Sequence, residues 1–263
     1  MATHQLLDPI PVVGVFLLFG LLGLVAYEIG FRVGRWWQER TPDEKEGPSG
    51  VLVGSLLALM AFLLAITMGM ASDRFDSRRQ LVLEEANAIG TVYLRAGYLS
   101  QPASDQTREL LREYAPLRVN TENDARLADQ FARSGEIAAE LWMIAEPLAR
   151  ESPDSQVLAL YISALNDMID LGETRLTAIE YARVPESVIL LMFLGSVLTL
   201  GMVGFHAGLH RHRSLVSAVV LVVVLGAVIT LVVDLDRPRR GFLQVSQQPM
   251  FDLIEQIGPP SGG

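Results

Sequence analysis

The chain contains no cysteine. A disulfide framework and thiolate metal sites are therefore excluded, and the redox compartment is left open. Lysine is almost absent as well: Lys45 is the only one, so basic charge is carried by arginine. There is no GxSxG, no HExxH, no phosphate-binding loop and no dinucleotide fingerprint. No catalytic residue, cofactor or enzymatic activity is expected on that ground. The formal net charge of −9 argues against nucleic acid as a partner, which would require a basic face. No stretch alternates apolar and polar residues as a half-buried strand would.

What the sequence does contain is 50% hydrophobic residues in a length of 263, gathered into four blocks. The first runs from about Pro9 to Ile29, the second from Val51 to Met70, the third from Ser187 to about Phe205 and the fourth from Leu215 to Val233. A hydrocarbon core about 30 Å thick needs roughly 20 apolar residues in a helix, and each block supplies about that many. The first block is expected to be a retained helix and not a signal peptide. Residues 1–8 carry no Lys or Arg, and the apolar run passes directly into Glu28, Arg32 and Arg35 instead of a small-residue cleavage site. Apart from Glu28 at the end of the first, none of the four blocks holds an acidic or basic side chain, which speaks against a proton-coupled transporter.

The predicted fold is all-α: four transmembrane helices in two hairpin-like pairs, with a helical soluble domain inserted between the pairs. The boundaries are 1–72 for the first pair, 73–185 for the inserted domain, 186–236 for the second pair and 237–263 for an interfacial C-terminal tail. From Asp73 to Pro185 there are 19 acidic residues and 12 arginines, a net of −7, as on a solvated surface. Three helices are expected there, near Asp105 to Val119 with Ser104 as N-cap, near Asp124 to Arg150, and near Ser155 to Ala182 opened by Ser152-Pro153. Between Ala71 and Leu99 there is no proline, and Gly90 and Gly97 are the only glycines. The second membrane helix should therefore run on as one helix of about 45 residues.

Small residues recur along the second block as Gly54, Ala58, Ala61, Ala65 and Gly69, and Gly204 and Gly208 close the third block in GxxxG spacing. In lipid such a stripe lets another backbone approach closely, so these faces are the expected seams of helix packing and of a homo-oligomer. Trp36 and Trp37 suit an interfacial anchor. His206, His210 and His212 form HxxxHxH, yet no Cys, Asp or Glu stands near to complete a site, and no metal is expected. Glu28 and Arg32, four apart, are read as a local ion pair.

Two polar clusters carry the remaining information. The first is SDRFDSRRQLVLEEANAIGTVYLRA, Ser72 to Ala96, with Arg74, Asp76, Arg78, Arg79, Glu84, Glu85 and Asn87 as candidates. The second is DLDRPRRGFLQVSQQPM, Asp234 to Met250, with Asp234, Asp236, Arg237, Arg239, Arg240, Gln247 and Gln248. An even number of crossings puts both at one membrane surface. Opposite charges there are expected to pair, Asp234 and Asp236 with Arg74, Arg78 or Arg79, because part-desolvated ions are costly alone. Two readings stand side by side: a network that fixes helix ends, or the mouth of a pore. Short loops on one side carry six basic residues and the tail on the other carries three, which leans the inserted domain to the extracytoplasmic side of a bacterial inner membrane.

With EEANAIGTVYLRA following a DRFDSRRQ helix, and DRPRRGFLQVSQQP closing the last membrane helix, the chain resembles the bacterial bestrophin-like domain membrane proteins over nearly its whole length. Bestrophins proper are oligomeric anion channels with four membrane helices paired on either side of a long soluble stretch. The resemblance thus implies an oligomeric channel-like protein with small ions as its traffic. An aromatic-rich pore neck and an EF-hand type calcium clasp are missing here, and bestrophin topology would put the middle domain in the cytoplasm, against the arginine count. The alternative function is a membrane-anchored sensor or docking protein acting through its acidic helical domain.

Overall fold

A computed structural model describes residues 7–41, 48–119, 124–181, 183–211, 213–238 and 241–259. Its order is α1 (Val12–Arg40), α2 (Ser49–Ala96), α3 (Ala103–Leu117), α4 (Asp124–Glu151), α5 (Gln156–Tyr181), α6 (Glu186–Leu209), α7 (Leu215–Asp236) and α8 (Gln248–Ile257), with no strand among the described residues. Four helices, α1, α2, α6 and α7, are long and apolar enough to cross a membrane. The all-α architecture expected from the four blocks is the one observed, and α2 is a single helix of 48 residues. At 1.5 Å per residue it is about 72 Å long, more than twice what a bilayer core needs.

The chain forms two compact units. The membrane unit comprises Met1–Phe75, Arg183–Arg237 and Gly241–Leu243, and the inserted unit comprises Asp76–Ala182, Pro238–Arg240 and Gln244–Gly263. In the membrane unit Val15 and Phe19 of α1 and Leu64 and Ala71 of α2 pack with Met192, Phe193 and Leu200 of α6 and with Val222, Ile229 and Val233 of α7. Phe19 meets Phe193 edge to face, ring centroids 5.4 Å apart.

The closest packing lies between α1 and α6, and glycine makes it possible. A Cβ at Gly30 would lie 1.9 Å from the Gly201 carbonyl oxygen, one at Gly34 2.1 Å from that of Phe205, one at Gly204 2.0 Å from that of Tyr27 and one at Gly208 2.2 Å from that of Phe31. The two backbones touch, so any larger residue must push the helices apart. Gly204 and Gly208, read as a packing seam, are thus used within the chain, against a partner pair, Gly30 and Gly34, that the sequence reading did not single out. Glu28 and Arg32 form the expected ion pair at 2.9 Å.

In the inserted unit Ile89 and Val92 of α2, Leu111 and Tyr114 of α3, Ile137 and Leu141 of α4, and Tyr161, Leu165 and Met168 of α5 share one core with Met250, Leu253 and Ile257 of α8. Some local readings change. Ser104 is not an N-cap: α3 starts at Ala103, two residues before the expected start, with Pro102 at the cap position, and Ser104 is buried. Ser152-Pro153 do not open α5. That helix begins at Gln156, and the Ser155 hydroxyl accepts from the Leu158 amide at 3.3 Å. Residues 237–263, read as an interfacial tail, contain α8, whose apolar positions 250, 253 and 257 are spaced to join the inserted core. Three core-facing positions in a helix of ten residues were too short a pattern to stand out beside the arginines that precede them.

Candidate functional site

In the membrane unit α7 ends in a run of buried charge. Asp234, Asp236 and Arg237 are all buried. The Asp234 carboxylate accepts from the backbone amides of Phe242 and Leu243 at 2.9 and 3.0 Å. The turn that brings those amides back needs Gly241, which has φ +157 and where a Cβ would lie 2.3 Å from Asp234 Oδ1. Asp236 accepts from the Val184 amide at 2.6 Å and from Arg183 Nε at 3.2 Å. Arg183 also forks onto Asp8 at 2.7 and 2.8 Å, the paired geometry that makes guanidinium–carboxylate contacts strong. Arg237 donates to the carbonyls of Leu7 and Ile10 at 2.6 and 2.7 Å. These bonds tie the segment before α1, the turn before α6 and the end of α7 together.

Asp234, Asp236 and Arg237 were candidates by sequence; Asp8 and Arg183 were not. Asp8 is an isolated acidic residue ahead of an apolar run, and Arg183 is one of 12 arginines in a solvated stretch. Neither has a local signal, because the contact joins positions 175 residues apart.

The inserted unit holds a second polar site, in its interior. Glu85, on α2, is fully buried and lies between two arginines that are each only 3% exposed: Arg118 Nε at 2.5 Å from Oε1 and Arg175 Nη1 at 2.5 Å from Oε2. Arg118 also donates to the Gly172 carbonyl at 3.0 Å and to Ser134 at 3.3 Å. Arg175 donates to the Arg118 carbonyl at 3.0 Å and to Gln247 Oε1 at 2.8 Å. Burial lowers the Arg175 pKa from its ordinary value, with the Glu85 charge opposing and the Arg118 charge adding to the shift. Burial likewise raises Tyr114, whose ring lies near Arg118. One carboxylate is shared by two guanidiniums inside the fold. Such a site is costly to assemble and costly to break.

Of the sequence candidates, then, Glu85 and Gln247 enter this network, through Arg118 and Arg175, which the reading missed. Arg78 is also buried. Arg74, Asp76, Arg79 and Asn87 are exposed on α2. Glu84 accepts from Gln80 at 2.7 Å, and Gln248 donates to Asp252 at 2.7 Å, each along its own helix. Arg239 and Arg240, like His212 and Lys45, lie outside the described residues.

The third feature is a face of α2. Gly54, Ala58, Ala61, Ala65 and Gly69 are all exposed, and among the described residues nothing lies within 4 Å of where a Cβ would stand at Gly54 or Gly69. Thr67 is instead buried, and its hydroxyl donates to the Leu63 carbonyl at 2.7 Å. Ser49 and His206 meet at 3.0 Å, and His206 and His210 stack with ring centroids 4.4 Å apart. No group of three His, Cys, Asp or Glu able to hold a metal occurs among the described residues.

Four apolar helices built around backbone contacts, with a helical domain inserted in the middle of the chain, define a multi-pass membrane protein. The sequence profile of the bestrophin-like domain matches residues 20–250, and the chain belongs to that family. No curated protein matches it in sequence. Its fold is similar to that of a bacterial bestrophin homologue from Klebsiella pneumoniae. A crystal structure of a point variant of that protein has a TM-score of 0.68 at 14% identity, covering 94% of this chain and 97% of the other. A second, phased from zinc, gives 0.67 at 15% identity, covering 94% and 96%.

Proposed function

We propose that the protein is an oligomeric channel for small ions, with the second helix of each copy facing the conducting axis. The observation that carries this reading is the exposed small-residue face of α2. Lipid offers no hydrophobic reward for burying Ala or Gly, so a long stripe of them has its use where another backbone comes close. Asp76, Arg79 and Asn87 continue the same exposed face beyond the apolar run, at steps of seven, three and eight residues counted onward from Gly69, or about two, one and two helical turns. Together with Arg74, exposed on the same helix, they are the candidates for a mouth that attracts ions, anions being the class the bestrophin resemblance suggests. Family membership and fold support the reading. A multi-pass position in a bacterial inner membrane goes with it. Flux from liposomes holding the purified protein tests it: saturable, selective leak is expected, and no leak under any gating condition would overturn it.

One observation favours a second reading, a membrane-anchored docking or sensing protein. With Thr67 turned onto its own helix, Ser55 is the only hydroxyl left on the second apolar block, too few for a wide aqueous pore. A narrow, hydrophobically gated pore has no such need. Crosslinking in membranes separates the two, since a channel captures chiefly itself and an anchor captures a different protein.

A further inference from the structure

At the end of α6, in the membrane unit, two histidines occupy one helical turn. His206 and the C-cap His210 are four residues apart, which puts them on one face, and their ring centroids are 4.4 Å apart. The HxxxHxH spacing alone predicts no metal, since no acid or thiol completes it. The structure adds what the spacing does not show, a hydrogen bond on each ring. His210 Nδ1 meets the His206 carbonyl at 2.9 Å. A carbonyl only accepts, so the neutral ring carries its proton on Nδ1 and a lone pair on Nε2. His206 Nδ1 meets the hydroxyl of the buried Ser49 at 3.0 Å. Gly50 makes room for that ring: a Cβ there would lie 3.2 Å from His206 Cε1. Among the described residues neither Nε2 has a hydrogen-bond partner, and His210 is exposed.

We propose that His206 and His210 hold one late first-row divalent metal ion through their two Nε2 atoms, with water completing its shell. Metal–nitrogen bonds of about 2.0–2.1 Å put the ring centres of two imidazoles on one ion about 4.5 Å apart at a right angle and about 5.2 Å apart at a tetrahedral angle. The observed 4.4 Å is close to the first, the geometry that Ni²⁺ and Cu²⁺ favour. Tetrahedral Zn²⁺ needs the rings to move apart by about 1 Å. Ser49 is the outer partner: a metal on Nε2 makes His206 Nδ1 a donor, and the hydroxyl accepts, an arrangement that orients metal-bound imidazoles. Mg²⁺, a hard ion that takes oxygen ligands, has no place here. Ser49 opens α2 and both ligands close α6, so a bound ion strengthens the tie between those helices. The site lies wholly within the membrane unit and stands whether or not the protein conducts ions.

The test uses the full chain in detergent, freed of any histidine tag and titrated by calorimetry with Ni²⁺, Cu²⁺, Zn²⁺ or Mg²⁺. One ion per chain is expected, Cu²⁺ binding tightest and Mg²⁺ not at all. His210→Asn, at an exposed position whose change should not disturb the fold, should weaken Ni²⁺ binding at least about 100-fold, and Ser49→Ala about tenfold. His212→Asn should leave the affinity unchanged. The spin-resonance spectrum of bound Cu²⁺ should show two imidazole nitrogens, and one in His210→Asn. No stoichiometric binding, an affinity that survives His210→Asn or Ser49→Ala, or an equal loss in His212→Asn would each overturn the assignment.

Discussion

The membrane unit and the inserted unit are both made of helices, yet they are held together by different physics. In the membrane unit the tightest contact is backbone on backbone, Gly30 and Gly34 of α1 against Gly204 and Gly208 of α6, and its buried charges sit where α7 ends. In the inserted unit large side chains such as Tyr161, Leu141 and Met168 fill the core, and a Glu85–Arg118–Arg175 ion triad is locked inside it. Solvent explains the contrast. Water drives large apolar side chains together, so a water-exposed domain builds its core from them and can still specify its arrangement with an ionic network. Lipid gives no such drive, and shape complementarity at close range takes over.

The sharpest way to break this comparison is to remove the carboxylate of the triad. Glu85→Gln removes the carboxylate that both buried arginines share and should cost about 3–5 kcal/mol in chemical unfolding of the detergent-solubilised protein. Replacing Glu85, Arg118 and Arg175 together by methionine should cost far less, and a triple variant as unstable as the single would refute the charge argument.

Next comes the glycine seam. Gly204→Leu, at a position with backbone 2.0 Å from a Cβ, should destabilise by about 3 kcal/mol or more. The same change at Gly54, which has open space around it, should stay within about 0.5 kcal/mol while lowering the crosslinked oligomer. Equal stability losses at the two positions would erase the distinction between an internal and an external face.

A smaller effect is expected from alkali. Burial raises the Tyr161 pKa above its ordinary value near 10, with the Thr107 hydrogen bond opposing. The fold therefore favours the neutral phenol. That contribution is complete below about pH 10 and is lost as pH climbs through the raised value, since the unfolded chain ionises first. Tyr161→Phe should flatten the alkaline fall in Tm between about pH 9 and pH 11; an unchanged profile would place the fall elsewhere. Smallest of all is the surface pair. Arg32, with 77% of its side chain exposed beside Glu28, should change stability by no more than about 0.5 kcal/mol when replaced by Gln.

Much of this protein is a matter of local pattern. The four blocks, the unbroken α2 and the three long helices of the inserted domain follow from runs and spacings within one segment, because a helix satisfies its own backbone whatever surrounds it. Glu85 and Asp236 were legible as members of polar clusters for the same reason. Their partners were not. Arg118 and Arg175 reach Glu85 from 33 and 90 residues away, Asp8 meets Arg183 across 175, and Gly30 is one glycine among several until α6 is laid against it. Length, hydropathy and helix were thus set by sequence alone; which arginine finds which carboxylate, and which glycine is touched, was decided by the packing of distant segments, since neither charge nor a missing side chain carries an address.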